Sequence, residues 1–287
     1  MQDVVLVTGR TMREPDPESH LLIAALREQG IGAEMQPWGD GFGWGSARLV
    51  VVRTPWDYFD HHDEFLRWAR HVATLTALVN PIEVLEWNSH KEYLLDLRRV
   101  GVPTIATTVV SRGTAAESQL AVLRGHAGEI VIKPAISGGA IGALRAAADT
   151  EAAALHLSAL LDAGDVLVQP LADAVLRDGE VSLIYFAGVF SHAVRKIPAV
   201  GDYRVQKQHG GTVVAHTPTA SELEVGAAAL KAAPQPTAYA RVDLVDVAGR
   251  PTLMELEVIE PELFLGRDPE APRRFAVQLG SLLEAAR

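Results

Sequence analysis

Arg241-Val242-Asp243-Leu244-Val245-Asp246 and Thr252-Leu253-Met254-Glu255-Leu256-Glu257-Val258-Ile259-Glu260-Pro261 alternate apolar and polar residues with a period of two. Val247-Ala248-Gly249-Arg250-Pro251 between them holds the Gly and Pro of a turn. The pattern predicts an antiparallel hairpin. With its turn centred on Gly249, Asp243 lies opposite Glu255 and Arg241 opposite Glu257, all four on one face, while Leu244, Leu256 and Val258 fill the other. Three carboxylates this close repel one another, so the face is either well solvated or holds a cation. Hard oxygen donors at this spacing suit Mg²⁺, particularly Mg²⁺ that also holds phosphates. The hairpin by itself leaves both readings open.

The rest of the chain supplies the layers such a hairpin needs. Val4 to Val7 reads as a buried strand, followed by the turn Thr8-Gly9-Arg10 and a helix from His20 to Gln29 closed by Gly30. Strands at Ala33 to Gln36 and Leu49 to Val52 follow, then a helix from Asp60 or His61 to Val72. This alternation predicts a parallel α/β sheet, in which ligands sit beyond the carboxyl ends of the strands. Arg53, Trp56 and Tyr58 fall there and are candidate substrate contacts; packing of the loop against the next domain is the other reading for Trp56. After a break at Asn80-Pro81, Ser89 is placed to cap a helix from His90 to Arg99, with Lys91 in its first turn and Gly101 and Pro103 stopping it.

Thr108 to Leu171 reads as an α+β unit: a strand, a helix (Ala115 to Gly125), a strand (Glu129 to Lys133), a glycine-rich turn, a strand (Ala143 to Ala147), a helix (Thr150 to Leu161) and a strand (Val166 to Gln169). Glu180 to His192 reads as a hairpin around Ala187-Gly188, and Val200 to Pro218 as a polar loop able to move. Glu222 to Ala233 and Pro272 to Ala286 read as helices.

Composition narrows function more than fold. The 287 residues suffice for two domains or one large fold with subdomains. With no cysteine, disulfides, thiolate nucleophiles and Cys-based metal clusters are excluded. A formal charge of -10 argues against nucleic acid as the main partner, yet permits one nucleotide held by a few lysines. No apolar window approaches about 18 residues and no basic segment precedes Val4, so neither membrane insertion nor export is expected and a cytoplasmic setting is. Homo-oligomerisation is left open.

Lys133 ends the strand Glu129-Ile130-Val131-Ile132-Lys133-Pro134 and precedes Ala135-Ile136-Ser137-Gly138-Gly139-Ala140-Ile141-Gly142. A lysine there can hold phosphate oxygens as a point charge, and glycines let backbone N–H groups approach the same oxygens. The lysine precedes the glycines, so this is not the GxxxxGK[ST] loop. A surface lysine ahead of a glycine-rich turn is the plainer alternative. Arg195-Lys196 is either a phosphate-reaching or a surface pair.

Taken together, these pieces resemble the ATP-grasp superfamily over nearly the whole chain. The resemblance implies a Rossmann-like amino-terminal domain (1–87), a central α+β subdomain with a glycine-rich lid (88–170) and a carboxyl-terminal α+β subdomain with the metal site (171–287). By resemblance, Lys91 and Lys133 contact nucleotide phosphates beneath a lid containing Ser137, Gly138 and Gly139, and the hinge Gln169-Pro170-Leu171 receives adenine through backbone groups. Asp243, Glu255 and Glu257 hold Mg²⁺, two ions by expectation, with Mn²⁺ as a substitute. Tyr203-Arg204 with His209-Gly210-Gly211 looks like the arginine-and-diglycine loop of the glutathione synthetase-like branch. Arg204, Lys133 and Arg241 are therefore expected to be catalytic, and His209, Gly210, Gly211 and Glu262 to meet substrate. Two departures stand out: Pro170 replaces the usual acidic residue, leaving the ribose to Glu180 or Asp173, and Glu257 replaces the usual Asn of the second metal strand.

Within the superfamily, Arg53 to Tyr58, Asn88-Ser89-His90-Lys91 and Glu255 to Pro261 look most like the O-ureido-serine cyclo-ligases that complete D-cycloserine. That resemblance implies activation of a carboxylate as an acyl phosphate and ring closure by a nitrogen of the same molecule. Phosphoryl transfer is catalysed mainly by positioning and charge neutralisation, so lysines, an arginine and a metal triad are the parts it needs. An intermolecular carboxylate-amine ligase remains the alternative, and a nucleotide sensor without turnover the reading outside enzymology.

Overall fold

Val4 to Val7 are entirely shielded from solvent on both faces, which requires their strand to lie inside a sheet with helices on either side. The computed structural model describes residues 2–11 and 16–285. The first layer comprises β1 (Gln2–Thr8), α1 (Pro17–Glu28), β2 (Ala33–Pro37), β3 (Ala47–Thr54), α2 (His62–Leu75) and β4 (Ala77–Val79), followed by α3 (Ile82–Asn88) and α4 (Tyr93–Arg99). Its sheet is parallel with order β2-β1-β3-β4. Val5 and Val7 pack with Phe65, Trp68 and Val72 of α2, whereas Val4 and Leu6 pack with Leu22 and Leu26 of α1 on the opposite face.

A second layer follows: β5 (Thr108–Val110), α5 (Ala116–Arg124), β6 (Glu129–Pro134), β7 (Leu144–Ala147), α6 (Glu151–Ala163) and β8 (Val166–Pro170). Its antiparallel sheet has the order β5-β8-β6-β7. Ile130 and Ile132 face Leu123, Leu157 and Leu161 of the helices. Strand alternation therefore turns Val131 and Lys133 to the other side, where they line a large cavity.

The third layer contains α7 (Ala174–Asp178), β9 (Glu180–Phe186), β10 (Val189–Ile197), β11 (Thr212–Ala215), α8 (Ala220–Lys231), β12 (Tyr239–Val247), β13 (Arg250–Glu257) and α9 (Ala271–Ala285). The five strands run β11-β10-β9-β12-β13, all antiparallel. One face is apolar and meets α8. The other is divided lengthwise: Ile184, Phe186, Val194 and Tyr239 pack under Phe275 of α9, while Glu180, Lys196, Arg241 and Asp243 continue the same alternation into the cavity. Helix α9 also joins α1 against the first sheet, tying the two ends of the chain together.

The hairpin register is as expected at the charged end, with Arg241 opposite Glu257 and Asp243 opposite Glu255. It is reached differently. Val247 pairs with Arg250 across a two-residue turn whose residues, Ala248 and Gly249, have φ of 53° and 79°, and the register then shifts between Asp243 and Leu244. A bulge at Met254 makes that shift and lets Leu253 and Leu256, three residues apart, both enter the core.

Strand β13 is a sheet edge, and side chains from the first layer complete its hydrogen bonds. Asn88 Nδ2 donates to the Leu256 carbonyl at 2.8 Å, and Val258 N donates to Asn88 Oδ1 at 3.3 Å. Leu256 N donates to the Tyr93 hydroxyl at 2.9 Å, and Asn80 Nδ2 to the Val258 carbonyl at 2.8 Å. Among the described residues, no helix is long and apolar enough to cross a membrane.

Three expectations change. Ser89 follows the last residue of α3 instead of capping the next helix, because α4 begins only at Tyr93; Lys91 thus lies in the connection between them. Residues 212–215 of the expected loop form β11 on the edge of the third sheet. β4, α3 and α7 were not anticipated, since runs of three to seven residues carry little periodicity.

Replacing Asn88 with Ala would leave buried Leu256 and Val258 backbone groups unpaired. Unfolding free energy should fall by about 1–3 kcal/mol, read as a lower urea midpoint.

Candidate active site

The cavity between the layers has a volume of about 920 Å³ and is floored by the charged half of the third sheet. Arg241 lies two residues before Asp243 on the same face of β12. Its Nε and Nη2 meet the Asp243 carboxylate at 3.0 and 2.9 Å, and Nη2 reaches Glu257 Oε1 at 2.5 Å. Lys196 Nζ stands 3.2 Å from Asp243 Oδ2 and pairs with Glu180. Lys91 Nζ is 3.3 Å from Glu255 Oε1 and donates to the Ser137 carbonyl at the start of the lid.

These pairings set the protonation of the floor. Burial opposes the charge on Asp243, but Arg241 and Lys196 keep its carboxyl well below the usual range. Glu255 is likewise held down by Lys91 and Lys133 against its burial. Glu257 behaves oppositely: burial pushes it up to about 8 despite Arg241, with Glu255 and Asp243 adding to the rise. Burial, opposed by Lys196, also raises Glu180 to about 7. The Lys133 ammonium is lowered by burial, partly offset by Glu255.

The donor set fits a divalent cation. Asp243, Glu255 and Glu257 each offer an oxygen, all within 4.8 Å of one another, and all three are hard ligands. Arg241 is the cation that lies between two of them in this structure.

Gln169, Pro170 and Leu171 line the cavity, together with apolar Ile105, Val131, Val175 and Met254. The Leu171 N–H donates to the Glu129 carbonyl at 2.9 Å, so this hinge group is already engaged. Gln169 Nε2 donates to Thr107 Oγ1 at 2.8 Å. Ser137, Gly138 and Gly139 line the cavity from the lid side. Glu180 borders it, and exposed Asp173 does not.

The substrate candidates separate into two groups. Trp56 and Glu262 line the cavity; Trp56 Nε1 donates to the Glu260 carbonyl at 3.1 Å, and Glu262 pairs with Lys207 at 3.1 Å. Arg204 also lines it, with its guanidinium held by Asp202 at 2.8 Å. Arg53 and Tyr58 stand outside the cavity wall. Arg53 is 1% exposed and donates twice to the Pro261 carbonyl at 3.3 Å, so it braces the exit of the hairpin behind the cavity wall. Tyr58 is buried against Phe65, with its hydroxyl in the neighbourhood of Glu260. His209, Gly210 and Gly211 also fall outside the cavity wall: Gly210 closes a short helical turn at φ 81°, and a Cβ on Gly211 would lie 2.1 Å from the Val205 carbonyl oxygen, so both glycines serve the tight turn.

Sequence reasoning gave no role to Glu18, Ser182 or Glu260. Glu18 borders the cavity, accepts from Leu263 N and Leu265 N at 2.8 and 2.7 Å, and is raised to about 7 by burial. Ser182 donates to Asp243 at 2.5 Å. Glu260 lies beside the lid, raised to about 7 by burial with Lys91 opposing. The period-two alternation through Val194 and Lys196 was the available signal that Lys196 shares the floor.

Fold and site together define an ATP-dependent ligase of the ATP-grasp class, which uses ATP and divalent metal. Residues 99–263 match the family described as prokaryotic glutathione synthetase, ATP-grasp domain, and residues 4–80 the one described as D-cycloserine synthetase DcsG, N-terminal domain. The Streptomyces lavendulae cycloserine biosynthesis protein DcsG is 34% identical, with 98% of this chain and 99% of that protein covered. The chain therefore belongs to the D-cycloserine synthetase family of ATP-grasp ligases. The crystal structure of D-cycloserine synthetase DcsG superposes with a TM-score of 0.89 at 32% identity, covering 99% of both chains. D-alanine–D-alanine ligase from Bacillus anthracis shares the fold, with a TM-score of 0.73 at 14% identity over 99% of this chain and 98% of its own.

A Glu257 carboxyl raised to about 8 is protonated at neutral pH and must lose that proton to ligate a metal. Mg²⁺ binding should therefore release protons near pH 7, and its apparent affinity should rise as pH approaches 8. Calorimetry in two buffers of different ionisation enthalpy measures the release; a buffer-independent enthalpy would contradict it.

Proposed function

We propose that this chain closes a ring within one amino-acid derivative, converting O-ureido-D-serine to D-cycloserine. ATP and water are consumed, and ADP, phosphate, CO₂ and ammonia are released. The observation that carries the reading is the convergence of Lys91, Lys133, Lys196 and Arg241 on Asp243, Glu255 and Glu257 at one cavity, in a chain of this family. Segments 1–87, 88–170 and 171–287 are the units that enclose that cavity.

The adenine enters among Ile105, Val131, Val175 and Met254. With Leu171 N–H engaged, the Pro170 carbonyl and Ala172 N–H are the hinge groups left for it, and Glu180 takes the ribose. Lys91, Lys133 and Lys196 neutralise phosphate oxygens as point charges. Asp243, Glu255 and Glu257 would hold Mg²⁺, two ions in our reading with Mn²⁺ able to substitute; when bound, the metal supplies positive charge to the transferring phosphoryl group. Arg241 and Arg204 stabilise charge on the acyl phosphate, Arg204 by leaving Asp202. Trp56 and Glu262 hold the substrate at the opposite end. Its own ureido nitrogen then attacks the acyl carbon as phosphate departs, and water cleaves from the ring nitrogen the carbamoyl group, which leaves as CO₂ and ammonia. Because both groups belong to one molecule, holding it curled can supply roughly 7–11 kcal/mol.

ADP release from O-ureido-D-serine with Mg²⁺ and no added amine tests this reading. Strict dependence on a second amine would replace it with intermolecular ligation. Glu255→Gln should fold normally, judged by circular dichroism, and lose ADP formation by at least about 100-fold, the scale for removing a preorganised charge-stabilising group. Activity retained at the wild-type level would place the metal elsewhere.

A further inference from the structure

The glycines of the lid serve different needs. Gly139 and Gly142 have φ of 59° and 71°, a backbone that favours glycine. Gly138 has no such φ, and what its lack of a side chain provides is space. A Cβ there would stand 3.1 Å from Cε1 and 3.5 Å from Cδ1 of Phe59, and 3.8 Å from Glu260 Oε1. The lid thus rests directly on an aromatic ring supplied by the first layer.

That ring is fixed from behind. Phe59 packs edge-on against Tyr58 with centroids 5.7 Å apart, and Tyr58 packs on Phe65 at 5.0 Å. Beside it, Trp56 Nε1 donates to the backbone carbonyl of Glu260. Elsewhere the lid is held by Lys91 at the Ser137 carbonyl, and a Cβ on Gly139 would lie 3.5 Å from Gln208 Nε2 of the polar loop. Of these three supports, the lysine and the glutamine are polar and can be bridged by water. Phe59 is the apolar one, and with Trp56 it lines the cavity.

We infer that Phe59 is a specificity-determining residue: it closes the seam between lid and first layer, so that the acyl phosphate is consumed by ring closure instead of hydrolysis. The inference rests on the cyclo-ligase reading. In ring closure the nitrogen bonds to the acyl carbon, the bond from that carbon to the phosphate oxygen breaks, and the nitrogen's proton leaves with the phosphate. In hydrolysis a water oxygen forms the same bond, the substrate carboxylate is regenerated, and one ATP is lost without product. Water exclusion decides between these fates while leaving phosphoryl transfer itself intact.

The test compares wild type, Phe59→Ala, Phe59→Leu and Gly138→Ala with O-ureido-D-serine and Mg-ATP in H₂¹⁸O. The measured quantities are cyclised product per ADP and ¹⁸O in the recovered substrate carboxylate. Wild type should give close to one product per ADP. Phe59→Ala should lower the rate of ring closure relative to hydrolysis by roughly tenfold, equivalent to a shift of about 1.4 kcal/mol between the competing barriers, with product per ADP falling and ¹⁸O entering the carboxylate. Phe59→Leu should recover most of the coupling, because it refills the seam. Gly138→Ala, whose Cβ presses on the Phe59 ring and forces lid and ring apart while keeping the ring itself, should uncouple in the same direction and covers the case in which Phe59→Ala fails to fold. An unchanged ratio without ¹⁸O incorporation, in Phe59→Ala or, where that variant does not fold, in Gly138→Ala, would overturn the inference. If wild type itself forms ADP but no cyclised product, the cyclo-ligase reading fails first and the inference with it.

Discussion

Carboxylates on neighbouring strands cannot share a desolvated face unless positive charge is brought to them, and that requirement organises this molecule. Asp243, Glu255 and Glu257 receive it from four directions: Arg241 beside Asp243 on β12, Lys196 from the end of β10, Lys91 from the α3–α4 connection and Lys133 from the end of β6. The charges thereby draw the second and third layers together around one cavity. Such buried ion pairs contribute little net stability, since desolvation offsets most of their attraction. Stability comes from the apolar half of the same sheet, where Ile184, Phe186, Val194 and Tyr239 lie under α9. The charged half is kept for what it can bind.

The first layer has a structural task as well as a place at the cavity. An edge strand carrying two of the carboxylates would be free to slip or fray if its outer N–H and C=O groups were left to solvent. Asn80, Asn88 and Tyr93 occupy those groups instead. Arg53 adds a brace at Pro261, and Glu18 another at Leu263 and Leu265. Glu257 and Glu260 therefore keep their positions relative to the lid and to Trp56. A site that must align phosphate, acyl carbon and nitrogen needs such rigid supports.

Enclosure completes the chemistry. An acyl phosphate is useful only while water is kept from it, and charge stabilisation is strongest where water has been removed. The lid meets the Lys91 ammonium at its Ser137 carbonyl, His156 at its Gly142 carbonyl and the Phe59 ring at Gly138. Electrostatics and enclosure are linked through Lys91, which touches both a metal-type carboxylate and the lid backbone.

Much of this was decided by local pattern. Alternation placed Arg241, Asp243, Glu255 and Glu257 on one face and turned Lys133 away from its helices, because a strand's side chains change sides at every residue whatever lies around it. The order of strands, helices and glycine-rich turns determined the α/β layering, on which the family resemblance rested. Tertiary structure decided the rest. The register that sets Asp243 opposite Glu255 depends on a bulge at Met254, which forms because Leu253 and Leu256 must both reach a core built by other segments. Arg53 and Tyr58 end up behind the cavity wall, and Lys196 on its floor, because burial of a polar side chain is determined by partners tens to hundreds of residues away. Pro261, Glu260 and Asp243 are those partners here, and no window of sequence contains them together with the side chains they hold.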